Sequence, residues 1–178
     1  MKQHHHRTAT CRCGKVTIEA TGTPILTVAC YCTSCQEAGR RFEQLPAAPP
    51  VLDADSGTGF LLYRKDRVRC ASGLEHLEEH RLKPESPTRR VVATCCNSAM
   101  FLEFRGGHWL SMYRNRFTTA VPPLEMRTMT KDRRAGVTFA DDVASYNTHS
   151  GKFMAKLLGA WIAMGFRSPK INWGKAAP

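Results

Sequence analysis

The run TCRCGKVTIEATGTPILTVACYCTSC, residues 10–35, holds five of the chain's eight cysteines in two tight groups, Cys11 with Cys13 and Cys30 with Cys32 and Cys35. Disulfide partners need Cα atoms roughly 4.4 to 6.8 Å apart with suitably aimed Cβ vectors, which neighbours one residue apart rarely satisfy. Short Cys-x-Cys and Cys-x-x-Cys turns instead present sulfurs to a common point, as a tetrahedral zinc ion requires. Between the groups, KVTIEA (residues 15–20) alternates with Val16 and Ile18 on one face, and Gly22-Thr23-Pro24 turns the chain into ILTVA. Two strands therefore bracket the cysteines.

Outside this run, Cys95 and Cys96 are adjacent in TCCNS and Cys70 stands alone. Cysteine usage falls below the roughly 8 to 10% that marks small disulfide scaffolds. The chain has 178 residues and a formal charge of +11, enough for one domain with a fair-sized core. It remains basic after the clustered thiolates and their metal ions are counted, which favours anionic partners. The basic residues are dispersed, and no aromatic-and-basic stacking motif accompanies them, so nucleic acid is not the favoured partner. The start, MKQHHHRTAT, is polar, and residues 1–9 read as a disordered tail. The apolar stretch near Leu157 to Met164 is far shorter than the roughly 20 residues that span a bilayer. The expectation is a cytoplasmic protein whose reducing surroundings keep the thiols available for metal.

Further strands are expected at Phe60–Tyr63, Val68–Cys70, His76–Leu82, Arg90–Cys95, Met100–Phe104 and His108–Ser111, with a long loop from Gln44 to Gly59. A zinc-binding β domain then covers 10–116, and 117–178 form a helical extension packed on it. In the extension, Phe153, Leu157, Trp161 and Gly165 recur every four residues, and Leu158 and Ile162 widen the stripe. Asp141 or Asp142 is the expected N-cap, with an interruption at Gly151.

A closed four-ligand tetrahedron is structural, whereas three protein ligands leave a position for water or substrate. Cys11 and Cys13 need two partners from afar, and Cys95 and Cys96 can supply them. Successive side chains on a strand point to opposite faces, so both bind only if Thr94 to Asn97 turns; otherwise Cys70 or a histidine fills the gap. Cys30, Cys32 and Cys35 make a three-sulfur platform. Either Cys70 closes it, or water or a substrate thiol takes the opening, with its pKa lowered by the metal.

Cys-x-Cys-Gly, a spacer, Cys-x-Cys-x-x-Cys and a distant cysteine before Ser98-Ala99-Met100-Phe101 together resemble the glutathione-dependent formaldehyde-activating enzymes, grouped with centromere protein V. The resemblance implies a mainly β, tent-like zinc-binding fold of several small antiparallel sheets. It implies a structural zinc on Cys11, Cys13 and Cys96, with Cys95 standing in for a ligand the family places where Ala93 lies. It further implies a second, catalytic zinc on Cys30, Cys32 and Cys35, and a carbon–sulfur lyase activity that joins a glutathione thiol to formaldehyde as S-(hydroxymethyl)glutathione. Tyr31, Gln36-Glu37 and Asn97 depart from the family's usual histidine, Arg-Lys-like pair and glycine.

The leading expectation is thus a zinc enzyme that adds a glutathione-like thiol to a small aldehyde, with Arg40 and Arg41 available for the thiol's carboxylates. The alternative is a non-catalytic zinc module that docks a partner through the Trp161 face. Acid–base candidates are His76, His80, Glu75, Glu78, Glu79 and Asp53.

Overall fold

The computed structural model describes residues 6–176. Twelve strands and two helices follow one another within that range. The strands are β1 (His6–Thr10), β2 (Thr17–Thr21), β3 (Leu26–Cys30), β4 (Thr58–Arg64), β5 (Val68–Ser72), β6 (Leu77–His80), β7 (Thr88–Ala93), β8 (Ser98–Phe104), β9 (Trp109–Tyr113), β10 (Met126–Thr128), β11 (Ala144–Ser145) and β12 (Lys175–Ala176). The helices are α1 (Thr33–Glu43) and α2 (Gly151–Ala163). The fold is mainly β with a C-terminal helix, arranged as a three-stranded sheet β1-β2-β5 and a nine-stranded sheet β11-β10-β3-β4-β9-β8-β7-β6-β12.

Alternation along the strands builds two cores on opposite faces of the large sheet. Leu61, Tyr63, Val91, Ala93, Leu110 and Met112 face the small sheet, meeting Ala9, Val16, Ile18, Ala20 and Val68. Phe60, Leu62, Val92, Ala99 and Tyr113 face the helices, meeting Ala38 and Phe42 of α1 and Phe153 and Leu157 of α2. The result is small sheet, large sheet, helices, in three layers. The two cysteine groups of residues 10–35 fall in different cores, because the chain passes from the small sheet into the large one between them.

Several expectations change here. Residues 1–5 of the expected tail lie outside the described residues, but His6–Thr10 is a strand paired along its length with β2. The segment after 116 is not only helical: Met126–Thr128 joins the large sheet beside β3, in parallel. The last helix begins at Gly151, not at Asp141 or Asp142. Ser150 caps it by accepting from the Phe153 N–H at 3.1 Å, while Asp142 is occupied by Arg127 at 2.8 Å. Gly151 is therefore the first helical residue, where its flexibility costs least.

The 44–57 loop is irregular as expected, yet pinned. Glu43 Oε1 accepts from the N–H groups of Val51 and Leu52, both at 2.8 Å, and Val51 is buried. Asn97 and Asn115 donate to Pro46 and Pro50 carbonyls, so the loop spans the ground between the two cysteine groups.

On α2 only Phe153 and Leu157 of the predicted stripe are well buried, whereas Leu158 is 51% exposed. Leu157→Ala should therefore cost about 2–5 kcal/mol of folding stability. Leu158→Ala should stay within about 0.5 kcal/mol. Urea denaturation of both variants checks this, and equal losses would overturn the assigned helix orientation.

Candidate metal centres

The Cys11–Gly14 turn closes on itself through a Gly14 N–H to Cys11 carbonyl bond of 3.0 Å, and Gly14 supplies the positive φ of 79° that the turn needs. Cys11 Sγ points back inside this turn, where it accepts the Val16 N–H at 3.2 Å. The chain reverses between β7 and β8 in a turn over Thr94–Asn97. Asn97 takes a φ of 52° there, a conformation asparagine tolerates where glycine would otherwise serve. That turn removes the objection to adjacent ligands, since Cys95 and Cys96 are no longer on extended backbone.

As a result Cys11, Cys13, Cys95 and Cys96 place their sulfurs within 4.8 Å of one another. Cys11 and Cys13 are 3.6 Å apart, Cys11 and Cys95 3.7 Å, and Cys13 and Cys95 3.4 Å. A zinc–sulfur distance of about 2.3 Å gives a tetrahedron edge of about 3.8 Å, so this group fits the ion.

The second group is built by a strand end and a helix start. Cys30 is the last residue of β3. Cys32 is the N-cap of α1, its sulfur accepting the Cys35 N–H at 3.4 Å, and Cys35 lies in the first helical turn. The three sulfurs lie within 4.8 Å of one another. The N-terminal partial charge of α1 favours negative sulfur at this point. Tyr31 holds the intervening backbone: its N–H donates to Thr128 O at 3.0 Å, its carbonyl accepts from Gln36 Nε2, and its hydroxyl donates to Asp55 Oδ2 at 2.6 Å. Gly57 lies so close under the Tyr31 ring that a Cβ there would stand 2.8 Å from it.

Three thiols so close together cannot all ionise alone. Hydrogen bonds from Cys32 and Cys35, and then burial, push Cys30 well up, while bonds from Cys30 and Cys35 pull Cys32 far down. Cys35 is pushed up to about 12, the downward pull of the Cys30 hydrogen bond losing to the Cys32 hydrogen bond and burial. Ionisation is thus favoured at Cys32 and opposed at the other two. A divalent cation would replace the remaining protons, which is the chemistry this donor set suits.

Arg90 supplies the independent sign of such a charge. Its side chain is 1% exposed, beneath α1, where Nη2 donates to Ser34 O at 3.1 Å. Its Nε and Nη1 meet no hydrogen-bond partner among the described residues. Its charge works against the rise of Cys35 and of buried Tyr113, both of which are still pushed up, Tyr113 chiefly by burial. An isolated buried guanidinium is costly, by several kcal/mol. Three thiolates around one divalent ion carry a net negative charge, and an arginine behind them offsets it.

Other sequence candidates fall elsewhere. Cys70 lies on β5 of the small sheet, donating to Ser72 O at 3.3 Å, and belongs to neither sulfur group. Arg40 and Arg41 are not free for a ligand carboxylate, since both pair with Glu37 on the outer face of α1, at 3.3 and 2.7 Å. His76 faces Glu75, His80 faces Glu78, and Glu79 holds Arg81 and Arg89. Burial raises Asp53, which lies near Arg114. The helix α1 lies outside the elements expected from the sequence. Its signal was present as Cys35, Ala38, Gly39 and Phe42 at helical spacing, with Glu37 set three and four residues before its arginines. Arg90 had no sequence signal of its own, since an Arg-Arg pair in a strand looks like a solvated basic pair.

Comparison with known proteins gives the same picture of the first segment. Residues 6–45 match the family model of the glutathione-dependent formaldehyde-activating enzyme. The match contains both leading cysteine motifs, so the resemblance drawn from them is shown over that segment. The crystal structure of a Rhodobacter sphaeroides protein aligns with 65% of this chain and 91% of its own, at 17% identity and a TM-score of 0.46. No curated protein matches the chain. No helix among the described residues is long and apolar enough to cross a membrane.

Replacing Arg90 with methionine should weaken zinc retention at the three-sulfur group by roughly tenfold or more, because an opposite charge is removed from beside thiolates. The four-sulfur group, which lies across the sheet, should be unaffected. Chelator competition that resolves two populations of released zinc checks this; identical release curves would show that Arg90 only fills space.

Proposed function

We propose that the protein is a zinc-dependent carbon–sulfur lyase that joins a glutathione-like thiol to formaldehyde or a related small aldehyde. The observation that carries this reading is the three-sulfur group, which offers three donors and leaves the fourth position of a tetrahedron for a ligand from solution. It lies within the segment that matches the family model. The four-sulfur group has no such vacancy and suits a structural ion. Bound at Cys30, Cys32 and Cys35, zinc would supply a Lewis acid that accepts a thiol and lowers its pKa.

The chain's own residues prepare that position. Cys30 and Cys35 are buried, so the platform is shielded on its inner side, whereas Cys32 is more open. Arg90 offsets the charge of the thiolates from behind. Tyr31, Gln36 and Asp55 hold the turn between Cys30 and Cys32, fixing the sulfurs' spacing. A thiol placed there needs only an aldehyde carbon within reach to form a carbon–sulfur bond, and holding the two reactants together supplies much of the rate advantage.

A second reading has one observation in its favour. Met154, Leu158, Ile162 and Phe166 are all more than half exposed, on and just beyond α2. Trp161 stacks on His108 with ring centres 5.8 Å apart, which leaves it partly exposed beside them. A non-catalytic zinc module would use such a face to dock a partner.

Metal content measured on untagged protein separates the two. The wild type should hold about two zinc ions and Cys32→Ser about one, with the fold intact. Cys11→Ser should lose the fold along with the metal, because binding at a structural site is folding free energy of roughly 10–16 kcal/mol. Calorimetry with glutathione should give heat with the wild type and none with Cys32→Ser, and formaldehyde added to the wild-type complex should yield the S-hydroxymethyl adduct by NMR. One zinc in both wild type and Cys32→Ser, or no heat at millimolar glutathione, would abandon the enzyme in favour of the docking module.

A further inference from the structure

Joining a thiol to an aldehyde moves one proton, from sulfur to oxygen, and the three-sulfur group contains no residue to carry it. The large sheet brings one alongside. β10 runs parallel to β3 with Thr128 in register with Cys30, so both side chains rise from the same face of the sheet on adjacent strands. Thr128 Oγ1 lies 3.0 Å from His149 Nδ1. The His149 ring stacks on Phe153 of α2, with centroids 4.6 Å apart and planes 20° from parallel. The residue is exposed to solvent.

The tautomer follows from the hydrogen-bond chain. Thr128 has one hydroxyl proton, which it donates to Thr148 O at 3.2 Å. The arrangement that makes both hydrogen bonds has Thr128 accept from His149, which assigns the proton to Nδ1 and the lone pair to Nε2. No partner for Nε2 is found among the described residues. Packing lowers the imidazole's pKa below its usual 6.5, while the charge of Cys32, which reaches the ring, works in the other direction. His149 is not one of the clustered donors, since its nitrogens fall outside the 4.8 Å group formed by the three sulfurs. A neutral base with a fixed tautomer thus stands beside the platform without belonging to it.

We propose that His149, brought to the three-sulfur group by Thr128 and Phe153, is the proton carrier of the reaction. The inference rests on the thiol-to-aldehyde reading above. The incoming thiol's S–H bond breaks and its proton passes to Nε2. The sulfur electron pair forms the bond to the carbonyl carbon, the C=O π pair moves to oxygen, and that oxygen takes the proton back from Nε2. Thiol and aldehyde sum to the hydroxyalkyl thioether, with nothing oxidised or reduced and no further reactant.

The test is a proton count on zinc-loaded wild type and His149→Gln. Calorimetry of glutathione binding in buffers of different ionisation enthalpy gives the protons released per thiol bound. In the wild type the arriving thiolate adds negative charge beside the ring and raises the His149 pKa, so part of the proton stays on the imidazole and clearly less than one per thiol reaches the buffer; in His149→Gln about one proton per thiol should appear, and turnover should fall roughly 10² to 10⁴-fold. Zinc content should be equal in the two proteins. Equal proton release would overturn the proposal, and so would loss of one zinc in the variant, which would make His149 a ligand. Absence of glutathione binding in the wild type would instead overturn the functional reading itself, and this inference with it.

Discussion

Four sulfurs meeting from segments 84 residues apart set the constraint on which the layered structure depends. Like-charged or protonated thiols gain nothing from lying 3.4 to 3.7 Å apart, so the group makes physical sense as a cation cage. Its geometric effect is to fasten the hairpin that starts the small sheet to the β7–β8 turn of the large one. The apolar side chains of both sheets are enclosed behind that junction, with Cys11 itself 2% exposed. The order of the layers, and hence which face of the large sheet is left for the helices, follows from it.

The opposite face is organised by charge as much as by packing. The start of α1 and the end of β3 converge on three sulfurs, and Arg90 is buried under the helix with Nε and Nη1 unpartnered among the described residues. In a core otherwise made of Val, Phe, Leu and Ala, such a group is destabilising unless something negative lies near. The helix N-terminus and the arginine act in the same direction on the same atoms. Together they make a site in which the charge of metal-bound thiolates would be offset, on the side of the sheet where the chain after residue 116 closes over it.

That later chain matters more than its position outside the matching segment suggests. Met126–Thr128 extends the large sheet next to the strand carrying Cys30, and the turn before α2 delivers His149 to the same edge. The extension therefore contributes to the surroundings of the three-sulfur group, and its α2 leaves a band of apolar side chains facing outward. Arg40 and Arg41 illustrate the opposite outcome. They are close to the site in sequence, but helical spacing sends them to Glu37 on the solvent side.

By itself the sequence determined the two cysteine groups, most of the strands between residues 15 and 113, and the long loop, because these depend on neighbours along the chain: spacing, alternation and turn residues. It left open whether Cys95 and Cys96 could act together, and the tertiary structure decided that through a turn with Asn97 at positive φ. It misread residues 6–9 as tail, since a short polar strand is stabilised by its partner β2 rather than by its own composition. It missed α1, whose cap is a cysteine sulfur rather than a hydroxyl or carboxylate. Arg90 and His149 were invisible for a common reason. Each acquires its role from a residue distant in sequence, Ser34 for Arg90 and Thr128 for His149, and only the folded chain brings those partners together.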